Sequence, residues 1–223
     1  MRINIAIDGP SAAGKSTIAK KLAKQLGYVH LDTGAMYRCV ALKAEENHLD
    51  LNNEDDLCKM LAETKIELKP DGRVFLDGKD VSKAIRTDEI SMAASSVSRH
   101  PGVRRDLVQR QQEMAEARGF IMDGRDIGTV VLKDAEVKIF LTASPEARAQ
   151  RRYDQDIAEG IPTSDVKTIA EEIRQRDYQD THRSVSPLKK ADDAVEIDTS
   201  DMSIDEVTQA INQLVQPYLE KEG

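Results

Sequence analysis

The chain has no tryptophan, and tyrosine and phenylalanine bring its aromatic content to only 4% of 223 residues. Its core is therefore built mainly from aliphatic side chains. Cysteine occurs twice, at Cys39 and Cys58, each in a helix-like stretch. That argues against a disulfide framework and for reduced thiols in a cytoplasmic protein. No apolar run approaches membrane-spanning length. The first strand-like run begins by Arg2, which leaves no room for a signal peptide. Positive charge is also in deficit: 32 Lys and Arg against 40 Asp and Glu give a formal net charge of −8. Non-specific binding to nucleic acid or to anionic membranes is therefore not expected. Of the four histidines, His30, His48, His100 and His182, none has metal-ligand or catalytic-triad spacing. No feature demands an interface, so a monomer is the expected state.

What is present begins at residue 9. Gly9-Pro-Ser-Ala-Ala-Gly-Lys-Ser16 matches the phosphate-binding loop G-x-x-x-x-G-K-[ST]. It follows a β-like run, Ile3–Ile7, and precedes a helix-like run with Ile18, Ala19, Leu22, Ala23 and Leu26 apolar, which is the context that the motif requires. The glycines let successive backbone N–H groups turn inward on a triphosphate, and the helix N-terminus adds a favourable dipole. Lys15 can reach the β- and γ-phosphates of a nucleoside triphosphate, and Ser16 can ligate Mg2+.

Further apolar runs that read as buried parallel strands lie at Tyr28–Leu31, Phe120–Met122, Val137–Leu141 and Ala194–Ile197, with helix-like stretches between them. This is the pattern of an α/β fold, a five-stranded parallel sheet flanked by helices. About 88 residues separate the second and third strands, too many for one crossover, so an inserted lobe is expected there. Within it, 65–69 and 73–77 alternate in polarity around Pro70-Asp71-Gly72, the signature of a hairpin. Helices are expected near 54–63, 90–97 and 103–117. After the fourth strand, Pro145 opens a helix carrying Arg148, Arg151 and Arg152, and residues 160–165 break it before another helix. Arg148 shares a helical face with Arg151 or Arg152. A segment of this kind, leaving the carboxyl end of a parallel strand, reads as an Arg-bearing lid over a phosphate. The last helix should start at Ser203, where Ser-Ile-Asp-Glu forms a capping box.

The basic residues are unevenly placed. Residues 99–183 hold 12 Arg and 3 Lys, whereas residues 1–98 hold 4 Arg and 10 Lys. Arginine offers a planar, bidentate fork for phosphate, so several of these arginines are expected to face a shared anionic ligand. Asp32-Thr33-Gly-Ala-Met-Tyr-Arg38 follows the second strand, where Asp32 or Thr33 can cap a helix or Thr33 and Arg38 can meet a second substrate. Asp123-Gly-Arg125-Asp126 follows the third strand, and Asp123 stands where a carboxylate supports Mg2+ or its waters. Arg176, Asp180 and Arg183, at i, i+4 and i+7, form one stripe. A GTPase would carry Asn-Lys-x-Asp, and Asn47-His-Leu-Asp50 lacks the lysine. A nucleotide-switch hydrolase remains the alternative from another class, and it would turn over nucleotide steadily without an acceptor.

GPSAAGKST, LDTGAMYR, IRTDEISMAASSVS, DGRDIGTVV and RDYQDTHRSVSPL together resemble the bacterial cytidylate kinases, in order, from about residue 2 to residue 218. The Asp-Gly-Phe-Pro-Arg of adenylate kinases is absent. The resemblance implies one P-loop kinase domain over 1–223: a core of about 1–50, 118–145 and 185–223, an NMP-binding insert of about 51–117 with a small antiparallel β element, and a helical lid of about 146–184. It implies ATP-dependent phosphorylation of CMP or dCMP, with UMP as the related acceptor to be tested. The loop Gly9, Pro10, Ser11, Ala12, Ala13, Gly14, Lys15, Ser16 and Thr17 would hold the ATP phosphates. Arg38 and Arg125 would grip the phosphate of CMP, with Thr33 supplying a hydroxyl where other members often carry serine. Ser95, Arg104 and Asp126 would read cytosine, and Arg176, Asp180 and Arg183 would contact ribose and phosphate. Lys15, Arg125, Arg148, Arg151 and Arg152 would serve catalysis, and Ser16 and Asp123 would hold Mg2+, directly or through water.

Overall fold

A computed structural model describes residues 2–161 and 163–219, apart from the side chains of Asp88 and Glu159. Pro162, part of the expected break between the lid helices, lies outside the described residues. The chain divides into two compact units, Met1–Tyr28 with Arg118–Gly223, and Val29–Ala117.

The first unit is organised by β1 (Ile5–Asp8), every residue of which is buried. It runs parallel to β6 (Phe120–Gly124) on one side and to β7 (Val137–Thr142) on the other, so Ile5 lies opposite both Ile121 and Val137. A strand covered on both faces reads as a continuous apolar run rather than an alternating one, as Ile-Ala-Ile does here. Strand β8 (Val195–Asp198) extends the sheet beyond β7. The full order is β2–β6–β1–β7–β8, where β2 is Val29–Asp32.

Helix α1 (Lys15–Leu26) buries Ile18, Ala19, Leu22 and Ala23, and α8 (Ile204–Leu219) buries Val207, Ile211 and Val215. Both spacings put one apolar stripe against the sheet, in a cluster with Ile3, Ile5, Ile7, Ile121, Val137, Ile139 and Leu141. Each fully buried aliphatic side chain of this kind contributes roughly 1.5–3 kcal/mol. Gly27, at φ 64°, closes α1 in the left-handed conformation. Ser203 and Glu206 form the expected capping box at the start of α8. The arginine-bearing α6 (Pro145–Glu159) is capped by Ser144 and packs on α7 (Val166–His182), capped by Asp165, through Ala149, Ile169, Ala170 and Ile173.

The second unit holds α2 (Thr33–Glu46), α3 (Glu54–Ala62), α4 (Asp88–Val97) and α5 (Pro101–Ala115). Its small sheet pairs β3 (Ile66–Leu68), β4 (Val74–Leu76) and β5 (Lys79–Asp80) antiparallel. The expected hairpin around Gly72 is present. The third strand was not expected, although Asp77-Gly78 announces it: both residues have positive φ, 48° and 83°, the two-residue turn that Asp-Gly favours.

The five expected sheet strands are all found, with shifted bounds. Ile3–Ile7 becomes Ile5–Asp8, Tyr28–Leu31 becomes Val29–Asp32, and Ala194–Ile197 becomes Val195–Asp198. The other two strands run on to Gly124 and Thr142. Main-chain pairing continues past the last apolar side chain, because a polar residue at the open end of a strand still has both backbone groups to satisfy. Helix α5 likewise starts at Pro101 rather than 103, since proline is well placed in a first helical turn. Cys39 and Cys58 are free thiols in α2 and α3, and burial pushes the Cys39 thiol up to about 12. Among the described residues no helix is long and apolar enough to cross a membrane.

Candidate active site

Residues 9–14 connect β1 to α1, and Lys15, Ser16 and Thr17 form the first turn of that helix. Gly9 adopts φ 151°, and a Cβ there would lie 2.1 Å from the backbone oxygen of Leu141 in β7, so only glycine fits. Gly14, at φ 82°, precedes α1, and no side chain caps that helix. Its first N–H groups are thus left for an anionic ligand. Pro10, Ser11 and Ala13 are buried, Ala12 is half-buried at φ 57°, and Thr17 is exposed.

Lys15 is buried, and its Nζ donates to the Pro10 carbonyl at 2.7 Å. Burial, and then the Arg125 guanidinium, pull its pKa down to about 7 against the opposing carboxylates of Asp123, Asp180 and Asp8. The Ser16 hydroxyl donates to Asp123 Oδ2 at 2.7 Å. A hydroxyl beside a carboxylate is a hard-oxygen donor set of the kind that Mg2+ takes, so these residues fit the ion that the loop motif implies.

At the carboxyl end of β6, Arg125 Nε donates to Asp180 Oδ2 of α7 at 2.8 Å. Burial would lower the Arg125 pKa, but Asp180 in direct contact raises it above its ordinary value. Burial pushes Asp180 up, and Arg125, Arg176 and Arg183 hold it below the usual carboxylate range. Asp126 is buried, with one oxygen 3.9 Å from the Arg183 guanidinium, whose Nε donates to the Ser186 carbonyl. The stripe expected on α7 therefore gathers at the end of β6, with Arg176 half-buried within it.

The three arginines of α6 divide. Arg148 is buried, and its guanidinium donates to the carbonyls of Ala143 (2.9 Å) and Ser11 (3.0 Å) and, through both Nη atoms, to the Asp177 carboxylate (3.0 and 2.6 Å). It ties the phosphate loop to the end of β7 and to α7. Arg151 turns to the loop after β8, donating to the Thr199 side chain and carbonyl and to the Ser200 carbonyl. Arg152 lies 3.9 Å from Asp156, one turn along its own helix. Asp177 escaped the sequence reading. Its signal was its place three residues before Asp180, on the same side of α7. Arg148 is buried and Asp177 half-buried, so removing the carboxylate is the severe break: it leaves the buried guanidinium without its counter-charge. Asp177→Ala is expected to destabilise by about 3 kcal/mol in urea unfolding, and the double variant with Arg148→Ala to lose clearly less than the two single losses added.

In the second unit, Asp32 caps α2 by accepting from the Ala35 N–H at 3.0 Å and binds both Arg38 (2.9 Å) and Arg86 (3.1 Å). Burial raises its pKa, but Arg38, Arg86 and His30 together hold it below the usual carboxylate range. Thr33 is buried at the first turn of α2, Arg38 is one turn further on, and Arg86 is a residue that the sequence reading passed over. Arg104, on α5, is buried, stacks its guanidinium 5.4 Å from the Tyr37 ring centre and donates to the Ser98 carbonyl at 3.3 Å. Ser95 is half-buried on α4, where its carbonyl accepts from the Ser98 hydroxyl.

Residues 5–217 match the family model for cytidylate kinase. The chain belongs to the cytidylate kinase family. It is 52% identical to the cytidylate kinase of Anoxybacillus flavithermus over 98% of both chains. It is 53% identical to that of Bacillus cereus (strain ATCC 10987) over 96% of both chains. Among solved structures it is similar to the shikimate kinase of Bacteroides thetaiotaomicron, with a TM-score of 0.52 at 13% identity, covering 97% of this chain and 99% of that one. At that identity the likeness concerns the fold alone. The two share a parallel α/β architecture.

Proposed function

We propose that this chain transfers the γ-phosphoryl group of ATP to the phosphate of CMP or dCMP, yielding ADP and CDP or dCDP. The observation that carries the reading is the grouping, in one unit, of the Lys15–Ser16–Asp123 arrangement with Arg125, Asp126 and Asp180. A phosphate-binding loop stands there beside groups suited to a second, phosphorylated substrate.

An oxygen of the CMP phosphate attacks the γ-phosphorus in line, and the bond to the bridging oxygen of ADP breaks. That attacking oxygen is already ionised, so no strong base is needed, and the rate comes from alignment and charge neutralisation. Residues Gly9–Thr17 hold the ATP phosphates and Lys15 neutralises charge on them. Ser16 and Asp123 would hold Mg2+, which when bound supplies further positive charge to the phosphate oxygens. Arg125, and in the second unit Arg38 with the Thr33 hydroxyl, take the CMP phosphate. Arg176, Asp180 and Arg183 take the ribose and phosphate. Arg148, Arg151 and Arg152 belong to the lid, and Arg148 serves by holding Ser11 of the loop as well as by its charge. Lid closure excludes the water that would otherwise hydrolyse ATP.

Cytosine presents an amino donor beside the acceptors N3 and O2. Asp126 accepts from the amine, while Ser95 and Arg104 of the second unit are donors for the acceptors. Uracil places an oxygen where the amine stood, against a carboxylate, and a site of buried polar pairs rejects such a substitution strongly. The enzyme is read as a cytoplasmic monomer, and its net charge of −8 argues against a nucleic-acid or anionic-membrane partner.

ADP formation with ATP and Mg2+, measured separately with CMP, dCMP, UMP, AMP, GMP and no acceptor, tests this. CMP and dCMP should be turned over fast, UMP slowly and the blank almost not at all. Equal turnover in every case would make the protein a hydrolase. Asp126→Ala should reduce the preference for CMP over UMP by about 10²-fold.

A further inference from the structure

Asp8, the last residue of β1, is given no role by the phosphate-loop motif, yet it is among the most buried charged groups of the first unit. Its two carboxylate oxygens each accept one backbone N–H: Oδ1 from Ile127 at 2.7 Å and Oδ2 from Gly128 at 2.8 Å. These residues directly follow Asp126 and open the single π-helical turn Ile127–Val131. From its other side that turn is held by the Asp126 carbonyl, which accepts the Val130 and Val131 N–H groups at 2.9 and 3.3 Å. The backbone on either side of Asp126 is therefore tied down, and the chain cannot leave β6 along another path without orphaning two buried donors.

The other end of this link is the phosphate loop. Asp8 is followed by Gly9, whose missing Cβ is replaced by the Leu141 carbonyl, so the strand cannot slide. Across the sheet Asp8 lies opposite Gly124 in β6 and Phe140 in β7. Gly128 is packed closely against the carboxylate: a Cβ there would lie in contact with Asp8 Oδ2 at 3.4 Å and press on the Lys138 side chain at 3.2 Å. One carboxylate thus connects the start of the ATP loop to the turn that carries Asp126, through two charge-assisted hydrogen bonds in a water-excluded place, where such bonds are strong.

We infer that Asp8 is a positioning residue for acceptor selection: by clamping the Ile127 and Gly128 N–H groups it fixes where the Asp126 carboxylate stands, and so sets the preference for cytosine over uracil. The inference rests on the reading of Asp126 as the acceptor of the cytosine amine. A side chain that only stabilised the fold would affect all substrates alike, whereas a misplaced Asp126 affects the acceptor and leaves ATP binding largely as it was.

Asp8→Asn keeps the shape but can accept from only one of the two N–H groups, turning its own NH₂ toward the other. The expected result is a KM for CMP raised about tenfold, a CMP-to-UMP ratio of kcat/KM lowered about tenfold, and a KM for ATP within about twofold of the wild type. Gly128→Ala leaves Asp8 unsubstituted but puts a methyl against its Oδ2 at 3.4 Å, and should shift the ratio in the same direction by a smaller factor. It decides the matter alone if Asp8→Asn fails to fold. An unchanged ratio in both variants, or equal rises in both KM values, overturns the inference. Asp126→Asn, run in parallel, separates the two levels. If it leaves the ratio unchanged, the reading of Asp126 fails, and if it lowers the ratio while the clamp variants do not, only the role of Asp8 fails.

Discussion

Replacing Lys15 with methionine is expected to lower kcat by about 10³-fold or more, with no loss of thermal stability. Lys15 sits beneath the loop that receives the triphosphate, with its ammonium on the Pro10 carbonyl. Positive charge placed in advance where phosphate charge develops is among the largest contributions to phosphoryl transfer. Without ligand the same charge is unfavourable, since burial and the nearby Arg125 pull the pKa down to about 7. Methionine fills similar space without the buried amine, at the loss of one hydrogen bond to Pro10 worth about 1 kcal/mol. Phosphate binding restores the favourable environment for the ammonium, so the residue serves catalysis at the expense of the free protein. A variant that kept near-full kcat would remove the loop from the mechanism.

The sign of the pH effect follows. A lysine whose folded pKa lies below its unfolded value binds its proton more weakly in the folded chain. Between pH 7 and the ordinary lysine pKa, the unfolded state holds the proton that the folded state has released, so stability rises with pH there. The wild type should gain on Lys15→Met by on the order of 1 kcal/mol per pH unit between pH 7.5 and 9.5. Urea unfolding of both proteins across that window measures it, and parallel curves would show that the lysine is not held in this state.

Gly9→Ala is expected to be severely damaging to both the fold and nucleotide binding. A methyl placed 2.1 Å from the Leu141 oxygen cannot be accommodated by a side-chain rotation, because the obstacle is backbone. Leu141 cannot retreat: it stands in β7 opposite Ile197 of β8, and β7 is paired with β1 on its other edge. The result should be a loss of at least ~3 kcal/mol in stability, together with loss of measurable ATP binding, seen by urea unfolding and by nucleotide titration. Gly14→Ala is the control. Its backbone is also left-handed, at φ 82°, but nothing lies within 4 Å of its Cβ, so the stability loss should be only about 1 kcal/mol. Equal losses at the two positions would show that conformational strain, rather than the contact with Leu141, governs Gly9.

Much of this protein was legible before any coordinates. The phosphate loop lies within nine consecutive residues and its glycines are required by local backbone geometry, so spacing alone identifies it. The central strands β1, β6 and β7 are covered on both faces and read as nearly continuous apolar runs, while the edge strands β2 and β8 alternate and were marked by fewer apolar residues. What escaped lay at their ends. Asp8, Asp32, Gly124, Thr142 and Asp198 close the five strands. The apolar pattern stops one or two residues before them, although pairing does not. Asp123 was singled out for standing at such an end, and Asp8, in the same position on the neighbouring strand, was not. The short β5 was missed for a different reason: a strand of two exposed residues has no hydrophobic pattern, and only its Asp-Gly turn marks it.

The sequence by itself determined the class of chemistry, the family and the identity of the charged groups, because these depend on residue types at short, fixed spacings. Only the tertiary structure decided what each charge does. Arg148, Arg151 and Arg152 are near neighbours on one helix, yet Arg148 holds the phosphate loop and Asp177, Arg151 holds the loop after β8, and Arg152 faces Asp156. Arg151 and Arg152 point about 100° apart, and Arg148 shares their side of the helix but sits a turn earlier along it, so each meets a different element and its partners are set by packing that no local pattern contains. The same holds for Asp8, whose partners are 119 and 120 residues away in sequence. Contacts at such separations exist only once the sheet has formed and brought β1 beside β6.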